Sequence, residues 1–192
     1  MTPPTEILVQ VARLLEQLGI PYHVGGSIAS SAHGMFRATA DIDVVIDPTA
    51  QQLTSLAEAL EPDFYTSRSA MDEARASAGT FNAIHMETSF KVDFFIKGRT
   101  PFDAEELRRS IRQPIGDAAG SAIMLKSPED TVLRKLEWFR RGGEVSERQW
   151  QDVVSILRAA QGGLDDVHMD LWAARLAITD LLERARGEAE AP

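Results

Sequence analysis

Residues 41–47 read Asp-Ile-Asp-Val-Val-Ile-Asp, and this short run constrains the fold more than any other part of the chain. Successive side chains of a β-strand point to opposite faces. Ile42, Val44 and Ile46 therefore share one face, suited to burial, while Asp41 and Asp43 share the other. Their Cα atoms lie ~6.6 Å apart in an extended strand. Two carboxylates at that separation repel, and burial raises the cost. A divalent cation between them removes the repulsion. Magnesium suits such a place, because it binds through one or two carboxylates together with water and substrate phosphates.

A second strand of the same kind follows in Phe90-Lys91-Val92-Asp93-Phe94-Phe95-Ile96. Val92, Phe94 and Ile96 line one face and Asp93 stands on the other. An aspartate in so apolar a strand is costly unless it has a partner. If this strand lies beside 41–47, Asp93 joins Asp41 and Asp43. Three carboxylates can hold two metals ~3.5–4 Å apart, an arrangement that activates an attacking oxygen and stabilises a leaving pyrophosphate. Upstream, Gly25-Gly26-Ser27 opens a helix of small residues. Glycine lets the backbone approach a phosphate closely, and the helix start aims N–H groups at it. The Ser27 hydroxyl can donate to a phosphate oxygen.

The remaining pattern predicts an α+β protein with a mixed β-sheet, flanking helices and an all-α C-terminal segment. A first helix carries Ile7, Val11, Leu14, Leu15 and Leu18 and stops at Gly19. Residues 21–25 form a short strand, and Asp47-Pro48 reads as the cap and first position of the next helix. Residues 68–78 form a helix. A hairpin pairs 80–87 with 90–97 through Thr88-Ser89. A short helix near 103–109 precedes one or two strands within 111–125. Ser127-Pro128-Glu129-Asp130 opens a long helix, Ser146 with Gln149 opens another, and 165–186 supplies one or two more. The tail from Gly187 is expected to fray. Residues 1–125 read as the catalytic α/β core and 126–192 as a helical region packed on it.

With 192 residues the chain can bury a substantial core. It has no cysteine, which excludes disulfides, thiolate metal sites and a cysteine nucleophile. The net charge of −9 is uneven. Residues 1–96 carry five basic against twelve acidic side chains, 97–158 twelve against ten, and 159–192 three against seven. Broad binding of duplex DNA is not expected, since that affinity scales with phosphates neutralised by Lys and Arg. No segment approaches the ~20 apolar residues that span a bilayer, and the first residues lack a secretory signal pattern. The expectation is a cytoplasmic protein with no membrane partner.

Gly26-Ser27, Asp41-Ile42-Asp43 and Asp93 occur in the order used by the nucleotidyltransferase superfamily related to DNA polymerase β, and the chain resembles it over residues 20–97. Within that superfamily, residues 25–47 and 127–153 resemble bacterial AbiEii-type proteins and their small relatives, some of which are toxins of toxin–antitoxin pairs. The resemblance implies a nucleotidyltransferase fold and transfer of NMP from an NTP to a hydroxyl acceptor, with two Mg²⁺ ions. The acceptor could be an RNA 3′ end such as tRNA, a protein side chain or a small molecule, and an antitoxin is a possible partner. It implies that Asp41 and Asp43 hold both metals, that Asp93 ligates one and helps deprotonate the acceptor, and that Gly25, Gly26 and Ser27 bind the triphosphate. The alternative is a non-catalytic nucleotide- or partner-binding module on the same fold.

Other residues carry two readings each. Arg37 either contacts phosphate or balances Asp41. Lys135 and Lys126 either reach a triphosphate or lie along the surface as snorkelling side chains. Ser27 is a phosphate ligand or a helix cap. Trp138 and Trp150 are expected in helix packing rather than base stacking, and Asp152 is expected to be exposed. His23, His33, His85 and His168 lack metal-ligand spacing.

Overall fold

The computed structural model describes residues 4–34, 41–115, 121–160 and 162–191. Its internal contacts divide the chain into two units, one of residues 1–25 and 39–126, the other of 26–38 and 127–192.

The first unit is built on a sheet. Its strands are β1 (Tyr22–Val24), β2 (Asp41–Ile46), β3 (Phe64–Thr66), β4 (Thr80–His85), β5 (Lys91–Ile96), β6 (Ile111–Pro114) and β7 (Ala122–Leu125). Their order across the sheet is β3-β4-β5-β2-β1-β7-β6. The pairs β2/β5 and β1/β7 are parallel, and the others are antiparallel. The alternation predicted for β2 is what the structure shows. Ile42, Val44 and Ile46 are fully buried, as are their partners Val92 and Phe94, while Asp41 and Asp43 are half-buried. Phe81 stacks on Phe94 at 4.9 Å between ring centroids, which extends this apolar face into β4.

Among the described residues, four helices accompany the sheet in this unit: α1 (Pro4–Gln17), α3 (Ala50–Leu60), α4 (Arg68–Ser77) and α5 (Pro101–Arg108), with α2 (Gly26–His33) falling in the other unit. Ile7, Val11 and Leu15 of α1 and Leu53, Leu56 and Leu60 of α3 are buried at helical spacing. The start of α3 differs from expectation. Thr49, rather than Asp47, caps it, because Thr49 and Gln52 exchange side-chain and backbone hydrogen bonds in a capping box. Asp47 instead forms an ion pair with Lys97 at 2.9 Å. The predicted hairpin forms between β4 and β5, with Ser89 in the left-handed region (φ 58°) at its turn. Strand β3 has no counterpart in the sequence reading, since three residues are too few to show an alternation.

The regular elements described in the second unit are helices. Besides α2 the unit holds α6 (Pro128–Arg141), α7 (Glu147–Ala160), α8 (Asp166–Arg175) and α9 (Thr179–Glu190). Ser127 caps α6 with its side chain accepting from the Asp130 N–H, as the sequence predicts. Val132, Leu133, Leu136 and Phe139 of α6 are buried, as are Trp150, Val153, Val154 and Ile156 of α7. Trp150 packs against Phe139 at 5.3 Å, lies under the Arg184 guanidinium at 4.0 Å, and donates from Nε1 to Glu188 at 2.7 Å. That last bond, with Arg158 donating to the Glu188 carbonyl, keeps α9 helical to Glu190 where fraying was expected. Trp138 departs from its expected place in the packing: it is 53% exposed, with Arg141 over its ring.

Two predictions follow from this packing. A Cβ on Gly34 would sit 2.5 Å from Ser155 Oγ and 3.0 Å from the Ile156 backbone nitrogen, where only the serine can yield. Gly34→Ala is expected to destabilise by about 1–3 kcal/mol in urea melts, with little recovery from adding Ser155→Gly. In the sheet unit, burial pushes the Tyr22 phenol up to about 12 from an ordinary 10.0. The neutral phenol is the favoured folded form, so this contribution is complete below pH ~10 and is lost as pH rises toward 12. The stability of wild type relative to Tyr22→Phe is expected to fall across that window, by at most about 1.4 kcal/mol per pH unit. Denaturant melts of both proteins at a series of alkaline pH values measure it.

Candidate functional site

The register of β2 on β5 places Asp41 opposite Lys91 and Asp43 opposite Asp93. Neighbouring strands lie about 4.8 Å apart. The three predicted aspartates therefore occupy one polar face of two adjacent strands, with Asp43 and Asp93 side by side. On the far side of Asp93, β4 presents Asn82 in register. The same face carries His23 of β1, opposite Val45 and buried, whose Nδ1 meets the Ser110 hydroxyl at 3.5 Å.

Lys91 was not among the candidates, yet it is the residue that the carboxylates surround. Its Nζ lies 2.6 Å from Asp93 Oδ2. The hydrogen bond that Lys91 donates to Asp93 holds the pKa of its ammonium above the ordinary value; desolvation opposes this, and the charges of Asp93, Asp41 and Asp43 add to it. All three acids thus act on one cation. The signal in the sequence was available: in Lys91-Val92-Asp93 the two charges are two residues apart and must share a face.

That cation is also the test of whether the site suits a metal. The donors are carboxylate oxygens, hard ligands of the kind Mg²⁺ takes, and a positive charge is already favoured among them. Among the described residues, however, no three carboxylates or imidazoles are drawn together as a ready metal cage. On Asp93 the Lys91 ammonium engages an oxygen that a metal would need.

The Gly-Gly-Ser element divides at the boundary of the two units. In the sheet unit, the Gly25 N–H donates to the Asp43 carbonyl at 2.9 Å, which ties the end of β1 to the backbone of an acid-bearing residue. A Cβ on Gly25 would meet only Lys126 Cε at 3.7 Å, so space does not demand glycine there. In the helical unit, Gly26 begins α2 at φ 52°, a conformation open to glycine and strained for other residues. Ser27 is buried in the first turn, and Arg148 of α7 donates to its hydroxyl at 3.3 Å. Arg148 is a further basic side chain that the sequence reading did not single out; nothing in its local pattern marks it.

Of the other candidates, Arg37 lies outside the described residues. Lys135 forms an ion pair with Asp152 at 2.8 Å, both largely buried, so Asp152 is not the exposed residue expected of it. The helix α7 turns Asp152 inward because Lys135 on α6 supplies the opposite charge. Lys126 is buried in the sheet unit and pairs with Glu106 at 2.7 Å. His168 Nε2 lies 2.7 Å from Asp130 Oδ1 inside the helical unit. Among the described residues, no helix is long and apolar enough to cross a membrane.

No family model matches the sequence, and no curated protein does. Solved structures do. The antibiotic-resistance factor ANT(2'')-Ia in solution matches with a TM-score of 0.54 at 17% identity, over 94% of this chain and 95% of that one. Its crystal structure with adenylyl-2''-tobramycin matches with a TM-score of 0.58 at 14% identity, over 92% and 98%. An antigenic nucleotidyltransferase-like protein from Paracoccidioides brasiliensis matches with a TM-score of 0.59 at 17% identity, over 96% and 92%. The mixed seven-stranded sheet with its helices is the nucleotidyltransferase fold.

Proposed function

We propose that the protein is a Mg²⁺-dependent nucleotidyltransferase that transfers NMP from an NTP to a hydroxyl acceptor and releases pyrophosphate. The observation that carries this reading is the placement of Asp41, Asp43 and Asp93 on one face of adjacent strands, where together they favour a positive charge. The fold shared with ANT(2'')-Ia supports it, and the adenylylated tobramycin bound by that protein supports a small-molecule hydroxyl as the first acceptor class to test. The RNA 3′ end and the protein side chain are the other acceptors. The toxin role, with its antitoxin partner, rests on the AbiEii resemblance and is tested by growth on expression of wild type and Asp41→Ala.

In this reading Asp41, Asp43 and Asp93 would be the residues that hold the metals. Bound there, metals would supply neutralisation of the triphosphate charge and a lowered pKa for the attacking hydroxyl. Gly25 and Gly26 allow close approach of the backbone to phosphate, and Ser27 donates to a phosphate oxygen. Arg148, already on the Ser27 hydroxyl, and Arg37 are further phosphate contacts. Asp93 accepts the proton of the acceptor hydroxyl as its oxygen bonds to the α-phosphorus and the bond to pyrophosphate breaks. Lys135 is a triphosphate contact whose ammonium Asp152 orients.

The second reading, a non-catalytic nucleotide-binding module, is favoured by one observation, the ion pair that holds Lys91 on Asp93. Incubation with α-labelled NTPs, Mg²⁺ and a cell extract separates the two. A labelled product is expected, reduced about 10²–10⁴-fold by Asp93→Asn and abolished by Asp43→Ala, with both variants folded by circular dichroism. Nucleotide binding without any product, unchanged by chelator, supports the second reading instead. Lys135→Ala is expected to destabilise by about 3 kcal/mol in urea melts, because it leaves Asp152 buried without that charge partner. Adding Asp152→Asn is expected to restore part of the stability but not the affinity for a fluorescent ATP analogue.

A further inference from the structure

Four side chains form a square on the polar face of β2 and β5: Asp41 and Asp43 on one strand, Lys91 and Asp93 on the other. Three are anionic and one is cationic. The lysine does not point away from its neighbours, as a solvated surface lysine would, but places Nζ 2.6 Å from Asp93 Oδ2. The two partners differ in exposure. The Lys91 side chain is 44% exposed and that of Asp93 only 19%. The carboxylate belongs to the more enclosed part of the site, while the ammonium sits on a flexible four-carbon stem with a route to water.

We propose that Lys91 is a built-in counter-ion that competes with the divalent metal for Asp93, so that metal loading displaces its ammonium from the carboxylate. This rests on the reading of the three aspartates as metal ligands. The argument is one of charge and of lone pairs. An ammonium donates a hydrogen bond to the oxygen that a metal would coordinate, and two cations on one carboxylate oxygen repel. Without metal, Lys91 relieves the repulsion among three carboxylates and stabilises the strand pair. With metal, that service is redundant and the ammonium opposes the incoming charge. Lys91 is therefore a positioning residue that sets how much divalent metal the site requires.

The effect must be separated from a bulk change in charge, and the strand supplies its own control. Lys97 follows β5, lies on the same alternation as Lys91, and is held by Asp47 at 2.9 Å rather than by a proposed metal ligand. Removing either lysine changes the net charge equally. The experiment is titration of the purified protein with Mn²⁺, free ion being read by electron paramagnetic resonance, together with melting temperatures with and without Mn²⁺. Lys91→Met is expected to bind Mn²⁺ about tenfold more tightly than wild type, to melt lower without metal, and to gain more from metal. Lys97→Met is expected to stay within about twofold, and Lys91→Arg, which keeps the charge, is expected not to tighten binding. Lys91→Gln gives the same readout if Lys91→Met does not fold. Equal or weaker binding in Lys91→Met, or equal tightening in Lys97→Met, overturns the inference. If Asp93→Asn still weakens Mn²⁺ binding in that case, the metal-site reading survives. Absence of Mn²⁺ binding in wild type and Lys91→Met alike overturns both.

Discussion

The parallel pairing of β2 with β5 sets both the core and the chemistry of the sheet unit. Because side chains alternate along a strand, one register decides both faces at once. In the observed register Ile42 meets Val92 and Val44 meets Phe94 inside the core, and Asp43 meets Asp93 on the opposite face. A slip of one residue would bring Asp93 into the apolar layer beside Phe81 and turn Phe94 out. Burying that carboxylate among apolar side chains would cost several kcal/mol, and the stacking of Phe81 on Phe94 would be lost with it. The aspartates need no separate device to align them. Hydrophobic burial aligns them, which is why a carboxylate cluster with a high electrostatic cost can persist at this place.

Charge in the helical unit is handled differently. Three of its acids are buried with partners: Asp152 with Lys135, Asp130 with His168, and Glu137 with Arg134 and Arg141. Pairs of this kind cost desolvation and contribute little net stability against an apolar alternative, but losing one partner is expensive. They therefore act more on how the helices align than on how tightly they pack. Trp150 adds to this alignment, since its ring contacts Phe139 and Arg184 while its N–H is held by Glu188. Three side chains from α6 and α9 are thereby fixed around one indole of α7.

The sheet and the acids were legible in the sequence because they rest on a period of two that a reader can count. Asp41, Asp43 and Asp93 each interrupt an apolar strand on the same parity, and the structure brings them to one face. The helices were legible from their caps and apolar spacing, as at Ser127-Pro128 and Leu133-Leu136. Features that depend on a distant partner were not legible. Asp152 looks solvent-facing on its own helix, and only Lys135, seventeen residues earlier, makes burial tolerable. Trp138 looks like a packing residue until α6 is seen to turn it outward. Glu188 in an acidic tail looks frayed until Trp150 claims its carboxylate. Arg148 has no local mark at all, and its place against Ser27 comes from the meeting of α2 with α7. Lys91 is the instructive exception. Its face was fixed by the same count that placed Asp93, but a lysine at the start of a strand is read by habit as solvated.

The significance of Lys91 is that it changes what an acid cluster of this type needs in order to fold. Three carboxylates with less counter-charge would repel one another across the strand pair that the core depends on, at a modest cost in stability. An ammonium from the same strand reduces that repulsion, because the counter-charge is always present at high effective concentration. In the proposed metal-binding reading the cost would fall on metal affinity, since an entering ion would have to offset the lost Lys91–Asp93 interaction. In that reading folding and metal loading would be separated: the first served by a residue of the chain, the second by an exchange of one cation for another. An aspartate strand that carries its own lysine two residues before the acid has its counter-charge in place as soon as it folds.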